Sequence, residues 1–90
     1  MTAAIQFRVS GRVQGVGFRY ATQQAARDIG VNGWVRNRRD GDVEGVAEGE
    51  TTSLDAFVDW LRQGPRHAVV GDVSTSDQPL SGFRRFDIVR

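Results

Sequence analysis

The chain has 90 residues, 39% of them hydrophobic, with two Trp, five Phe and one Tyr. That length and composition suit one compact domain over residues 1–90 that folds alone, and they exclude a disordered chain. Twelve basic residues against 11 acidic ones leave a formal net charge of +1, too little for a general attraction to nucleic acid or an anionic membrane, so any anion site must be local.

All the basic residues are arginine and cysteine is absent. Schiff-base and P-loop lysine chemistry, disulfides, thiolate catalysis and cysteine metal sites are thereby excluded. The N-terminal "MTAAIQFRVS" has no basic region leading into an apolar stretch, and no apolar run reaches membrane length. Together with the missing cysteines, this reads as a soluble cytoplasmic protein with no membrane partner.

From Ile5 to Val13 the apolar residues Ile5, Phe7, Val9 and Val13 alternate with Gln6, Arg8, Ser10 and Arg12, the period of a half-buried strand. After "QGVG", the spacing of Phe18, Ala21, Ala25 and Ile29, with Gly30 as a C-terminal stop, predicts a helix from about Arg19 to Ile29. "VNGWVRN" and "DVEGVAEG" read as two extended segments, and the Asp-Gly of the intervening "RRDG" pairs them as an antiparallel hairpin. Residues 51–63 form a second helix, with Thr52 and Asp55 as a capping box, Leu54, Phe57, Val58 and Leu61 on one face, and Gly64-Pro65 as the stop. A further strand is expected within "AVVGDVSTS" and a last extended piece in "FRRFDIVR".

Strand, helix, strand, strand, helix, strand is the order of a ferredoxin-like βαββαβ α+β sandwich. Its expected form is an antiparallel sheet with both helices on one face and solvent on the other. The architecture leaves function open.

The stretch "GRVQGVGFRY" is the informative one. Gly15 and Gly17 permit backbone conformations closed to other residues, and a run of N–H groups leading into a helix N-terminus suits a phosphate or similar anion. Arg19 in the first turn of that helix opposes the helix dipole, at a cost on the order of a few tenths of a kcal/mol, unless an anion sits between. Taken alone, the loop is better read as a plain turn with Arg19 on the surface. Tyr20 stands where a dinucleotide fingerprint needs its third glycine. Downstream, Asn37 ends the first strand of the hairpin. Its amide suits the positioning of a water if the fold brings it to the loop; a turn residue bonding its own backbone is the other reading, and both stay open on the residues alone.

"GRVQGVGFR" followed by "GWVRNRRDGDVEGVAEG", continuing through "WLRQGP" to "FRRFDI", resembles the two signature regions and the flanks of the acylphosphatase family, over essentially the whole chain. The resemblance implies hydrolysis of a small-molecule acyl phosphate to a carboxylate and inorganic phosphate, with neither metal nor cofactor. It also implies that Arg19 holds the phosphoryl group, that the backbone amides of Gln14, Gly15, Val16, Gly17 and Phe18 cradle it, and that Asn37 orients the attacking water. None of these positions departs from the family pattern.

Other residues invite weaker readings. His67, the sole histidine, follows "QGPR" and is expected to be exposed. Trp34 and Trp60 are expected to pack, and Glu44 and Glu48 to lie on a solvated face. Arg36, Arg38 and Arg39 either draw in an anionic substrate or keep a hairpin soluble. An RNA-recognition module shares the element order but needs aromatic residues on the open sheet face, where the first strand shows Gln6, Arg8, Ser10 and Arg12. A noncatalytic phosphate sensor, or a domain of a larger acyl-transfer enzyme, is the third alternative. The Met start and lack of a linker favour a free-standing enzyme; the lack of an obvious interface stripe makes a monomer the expectation, and the missing stacking platform and small net charge argue against nucleic acid.

Overall fold

The computed structural model describes residues 1–90. In chain order the elements are β1 (Thr2–Arg12), α1 (Phe18–Ile29), β2 (Asn32–Asn37), β3 (Val43–Glu50), α2 (Thr51–Gln63), β4 (Val69–Gln78) and β5 (Phe86–Ile88). The strands form one sheet in the order β4-β1-β3-β2-β5. Its first four strands are antiparallel, as expected, whereas β5 pairs parallel to β2 through Gly33–Phe86, Trp34–Asp87 and Val35–Ile88. The sheet is therefore mixed rather than wholly antiparallel. The segment after β4 crosses to the opposite edge before entering, so β5 arrives running the same way as β2.

Alternation sends Phe7 and Val9 of β1, Val35 of β2, Val43 and Ala47 of β3, Val73 of β4 and Phe86 of β5 to the face that both helices cover. There they meet Phe18 and Ala26 of α1 and Leu54, Phe57 and Leu61 of α2 in one buried cluster. Phe57 is the keystone, its ring centroid 5.4 Å from that of Phe7 and 5.8 Å from that of Phe86. Across β1 and β3, Phe7 stands opposite Gly45, where a Cβ would collide with the Phe7 ring and the Trp34 carbonyl. Trp60 packs on the cluster as expected, 5.8 Å from Phe18.

On the open face the cross-strand rows read Gln6, Val46, Trp34 and Arg8, Glu44, Arg36. Trp34 stands here rather than in the core, with the Arg36 guanidinium 5.3 Å from its ring centre. Glu44 and Glu48 also depart from expectation, being 6% and 5% exposed. Glu44 is covered by Arg36 and Arg38, which bond it at 2.6 and 2.8 Å. Glu48 accepts the backbone N–H groups of Ser81, Gly82 and Phe83, so the C-terminal segment closes over it. α2 begins one residue before the proposed capping box: its N-cap is Glu50, and no side chain caps it. His67 is exposed. No helix is long and apolar enough to cross a membrane.

Candidate active site

Between β1 and α1 the chain turns through Gly15 and Gly17, at φ +75° and +76°. A Cβ at either would meet open space, so glycine is required there by the backbone angle and not by crowding. Gly17 is the N-cap of α1, and its carbonyl accepts the first helical bond from Ala21 at 3.0 Å. No side chain caps this end. From Gln14 to Tyr20, seven successive residues, no backbone N–H donates to a protein acceptor. Unbonded amides at a helix start, with the positive dipole end behind them, are suited to an anion.

Five residues of this run, Gly15, Gly17, Phe18, Arg19 and Tyr20, line a cleft of about 220 Å³ together with Val13, Asn37 and Ile88. Arg8, Arg36, Arg38 and Arg85 are paired with carboxylates; of the arginines that form no salt bridge, Arg19 alone is half-buried and the others are exposed. Asn37 shares the parity of Gly33 and Val35 in β2, so it faces the helix side of the sheet at the height where α1 begins. Its Oδ1 is buried without a hydrogen-bond partner in the protein, which leaves an acceptor uncommitted at this point.

Of the residues expected at the site, Gly15, Gly17, Phe18, Arg19 and Asn37 line this one cleft. Gln14 and Val16 do not: the Gln14 side chain bonds the β2–β3 hairpin, and Val16 packs against the core. The cleft adds Val13, Tyr20 and Ile88, which the sequence reading left out. Tyr20 follows Arg19 in the first helical turn and was accessible to that argument. Ile88 had no such signal, because only the parallel pairing of β5 brings it alongside β2.

The acylphosphatase family model matches residues 5–88. The chain belongs to the acylphosphatase family. Membership makes it an enzyme of acyl phosphate hydrolysis. It is 49% identical to an acylphosphatase of Acaryochloris marina over 82 residues, covering 91% of this chain and 88% of that one. Its structure matches the acylphosphatase of Bacillus subtilis at TM-score 0.95 with 43% identity over the full length of both chains. An acylphosphatase from Coxiella burnetii matches at TM-score 0.95 with 36% identity, over 98% of this chain and 93% of that one. The acylphosphatase match includes both the glycine loop and Asn37.

On the open face, the β2–β3 hairpin and β1 share an ionic network. Arg8 bonds Asp42 at 2.6 Å and Asp40 at 2.7 Å, and Arg38 bonds Asp40 at 3.1 Å and Glu44 at 2.8 Å. Burial pushes the Glu44 carboxyl up, but the hydrogen bonds from Arg38 and Arg36 outweigh it and hold the group below its ordinary range. Asp40 is held low chiefly by the backbone N–H of Asp42. These ties commit Arg36 and Arg38 to the hairpin.

Proposed function

We propose that the phosphoryl group of an acyl phosphate is held by the backbone amides of Gln14 to Phe18 and by the Arg19 guanidinium, while Asn37 orients the water that attacks phosphorus in line. Arg19 presents parallel donors to two phosphoryl oxygens, and the amides offset charge on the equatorial oxygens as it redistributes. The water oxygen bonds to phosphorus as the phosphorus–acyl oxygen bond breaks, and the carboxylate departs with the bonding electron pair. The water's proton passes to an oxygen of the transferred phosphate. A carboxylate is a good enough leaving group that this arrangement needs neither a strong general base nor a covalent nucleophile.

The observation that carries this reading is one cleft holding an arginine without a carboxylate partner, a run of unbonded amides and an asparagine whose buried Oδ1 has no partner. Phosphate release from acetyl or benzoyl phosphate tests it. Arg19→Ala is expected to lose nearly all turnover and to bind phosphate more weakly. Asn37→Ala is expected to lower kcat about 100-fold or more, by analogy with loss of one oxyanion donor, with much less effect on phosphate binding. Full activity in either variant sinks the assigned role, and an inactive wild-type protein that still binds phosphate marks a sensor instead.

We also propose that the protein acts as a cytoplasmic monomer. The exposed helix faces support the monomeric state, carrying Arg27 and Asp28 on α1 and Asp55, Asp59 and Arg62 on α2 in place of an apolar stripe. Sedimentation at a dimer's mass would overturn the monomeric state.

A further inference from the structure

The two halves of the cleft lie on separate pieces of chain. The amide run follows β1, Asn37 ends β2, and β3 lies between those strands. The sheet ladder therefore ties Asn37 to Val43 of β3, and Val43 to Val9 of β1, but the β1–β3 pairing stops at Val9, well before the loop begins. Beyond the core that Val13 and Phe18 share with Val35 and Val43, no ladder bond ties the loop to the end of β2.

Gln14 spans this gap. Its side-chain Nε2 donates to the Arg38 carbonyl at 2.7 Å and to the Asp42 carbonyl at 3.0 Å. Two carbonyl acceptors require the NH2 end of the amide, so the chemistry fixes which way the group faces. The two carbonyls bracket the hairpin turn: Asp42 O also accepts the Arg38 N–H at 2.7 Å, and Arg38 O accepts the Gly41 N–H at 3.3 Å. Arg38 follows Asn37 directly, and Asp42 precedes Val43, the cross-strand partner of Asn37. The Gln14 side chain is part-buried and does not line the cleft, which leaves its contact with the hairpin as the function to explain.

We propose that the Gln14 side chain is a positioning residue that acts through Asn37, locking the β2–β3 hairpin to the phosphate loop so that the water-holding amide keeps its distance from the held phosphoryl group. This rests on the role given to Asn37 above. The backbone N–H of Gln14 stays in the loop whatever its side chain is, so substitution separates the two functions of the residue.

The test uses Gln14→Ala, Asn37→Ala and the double variant, with kcat measured on acetyl phosphate and inorganic phosphate as the competitive inhibitor. Displacement of a positioned group by about 1 Å costs up to roughly 100-fold in rate, so Gln14→Ala should lower kcat about 10- to 100-fold. The inhibition constant for phosphate should hold steady, and the double variant should be no slower than Asn37→Ala alone. Unchanged kcat overturns the proposal. So does a phosphate inhibition constant that rises in step with the loss of rate, or a double variant that loses the product of the two single effects. Gln14→Met, similar in length and without donors, carries the same measurements if Gln14→Ala does not fold. Full activity in Asn37→Ala removes the underlying reading, and this inference with it; impaired Asn37→Ala beside an unimpaired Gln14→Ala removes this inference alone.

Discussion

Gly17 shows how one residue links the turn to the site. At φ +76° it takes the chain from the loop into α1 and leaves the helix-start amides unbonded. Any L side chain there strains the backbone, while the open space around the position adds no collision. Gly17→Ala is therefore expected to cost about 1–2 kcal/mol of stability from the backbone angle alone, read as a lower urea midpoint at unchanged m-value. No loss would show that the turn accommodates another conformation. The sequence made this position readable because glycine is the residue such an angle selects. It left Asn37 ambiguous, since an asparagine at a strand end serves a turn or a site equally well. The partnerless Oδ1 and the place of Asn37 in the cleft lining are tertiary facts.

At the scale of elements, the β2–β3 hairpin carries Asn37, and the Arg8, Arg36, Arg38, Asp40, Asp42 and Glu44 network braces it. The folded protein holds the Glu44 carboxyl below its ordinary value of 4.5. Below that value the unfolded chain binds more protons than the folded one, so stability falls with falling pH. The contribution is complete above 4.5 and is lost as pH drops through the lower folded value. Glu44→Gln should lower stability at neutral pH by about 1–2 kcal/mol, less than for a fully buried pair because its arginine partners reach solvent. It should also flatten the acid limb of a stability–pH curve, with Asp40 and Glu50, likewise held low, supplying the remaining slope. An unchanged acid limb would show that the network does not brace the hairpin. Alternation alone placed Glu44 and Glu48 on the open face correctly and their burial wrongly. Strand parity fixes which face a side chain takes, but what covers that face comes from other strands and from the distant 81–83 loop.

Across the whole molecule, both helices and all five strands contribute to one buried cluster with Phe57 near its centre. Phe57→Ala should destabilise by about 3–5 kcal/mol, a large part of the 5–15 kcal/mol typical of such domains. At roughly 4–8 °C per kcal/mol for this size, the melting temperature should fall by well over 10 °C in one cooperative transition. A small shift, or two separate transitions, would show that the helices do not share a core. Because the cleft sits where β2, β5 and the start of α1 converge, phosphate binding should weaken along with this loss of stability as the unfolded population rises.

Period-two and helical spacing, glycine punctuation and the Asp-Gly turn were enough to set the element order, both helices, the hairpin and the loop that begins the site, because each is decided by neighbours within a few residues. The parallel entry of β5, the burial of two glutamates, the arrival of Ile88 and the bridge from Gln14 to the hairpin were decided only on folding. Each depends on residues far apart in the chain, and local pattern carries no information about which distant segment closes over a given face.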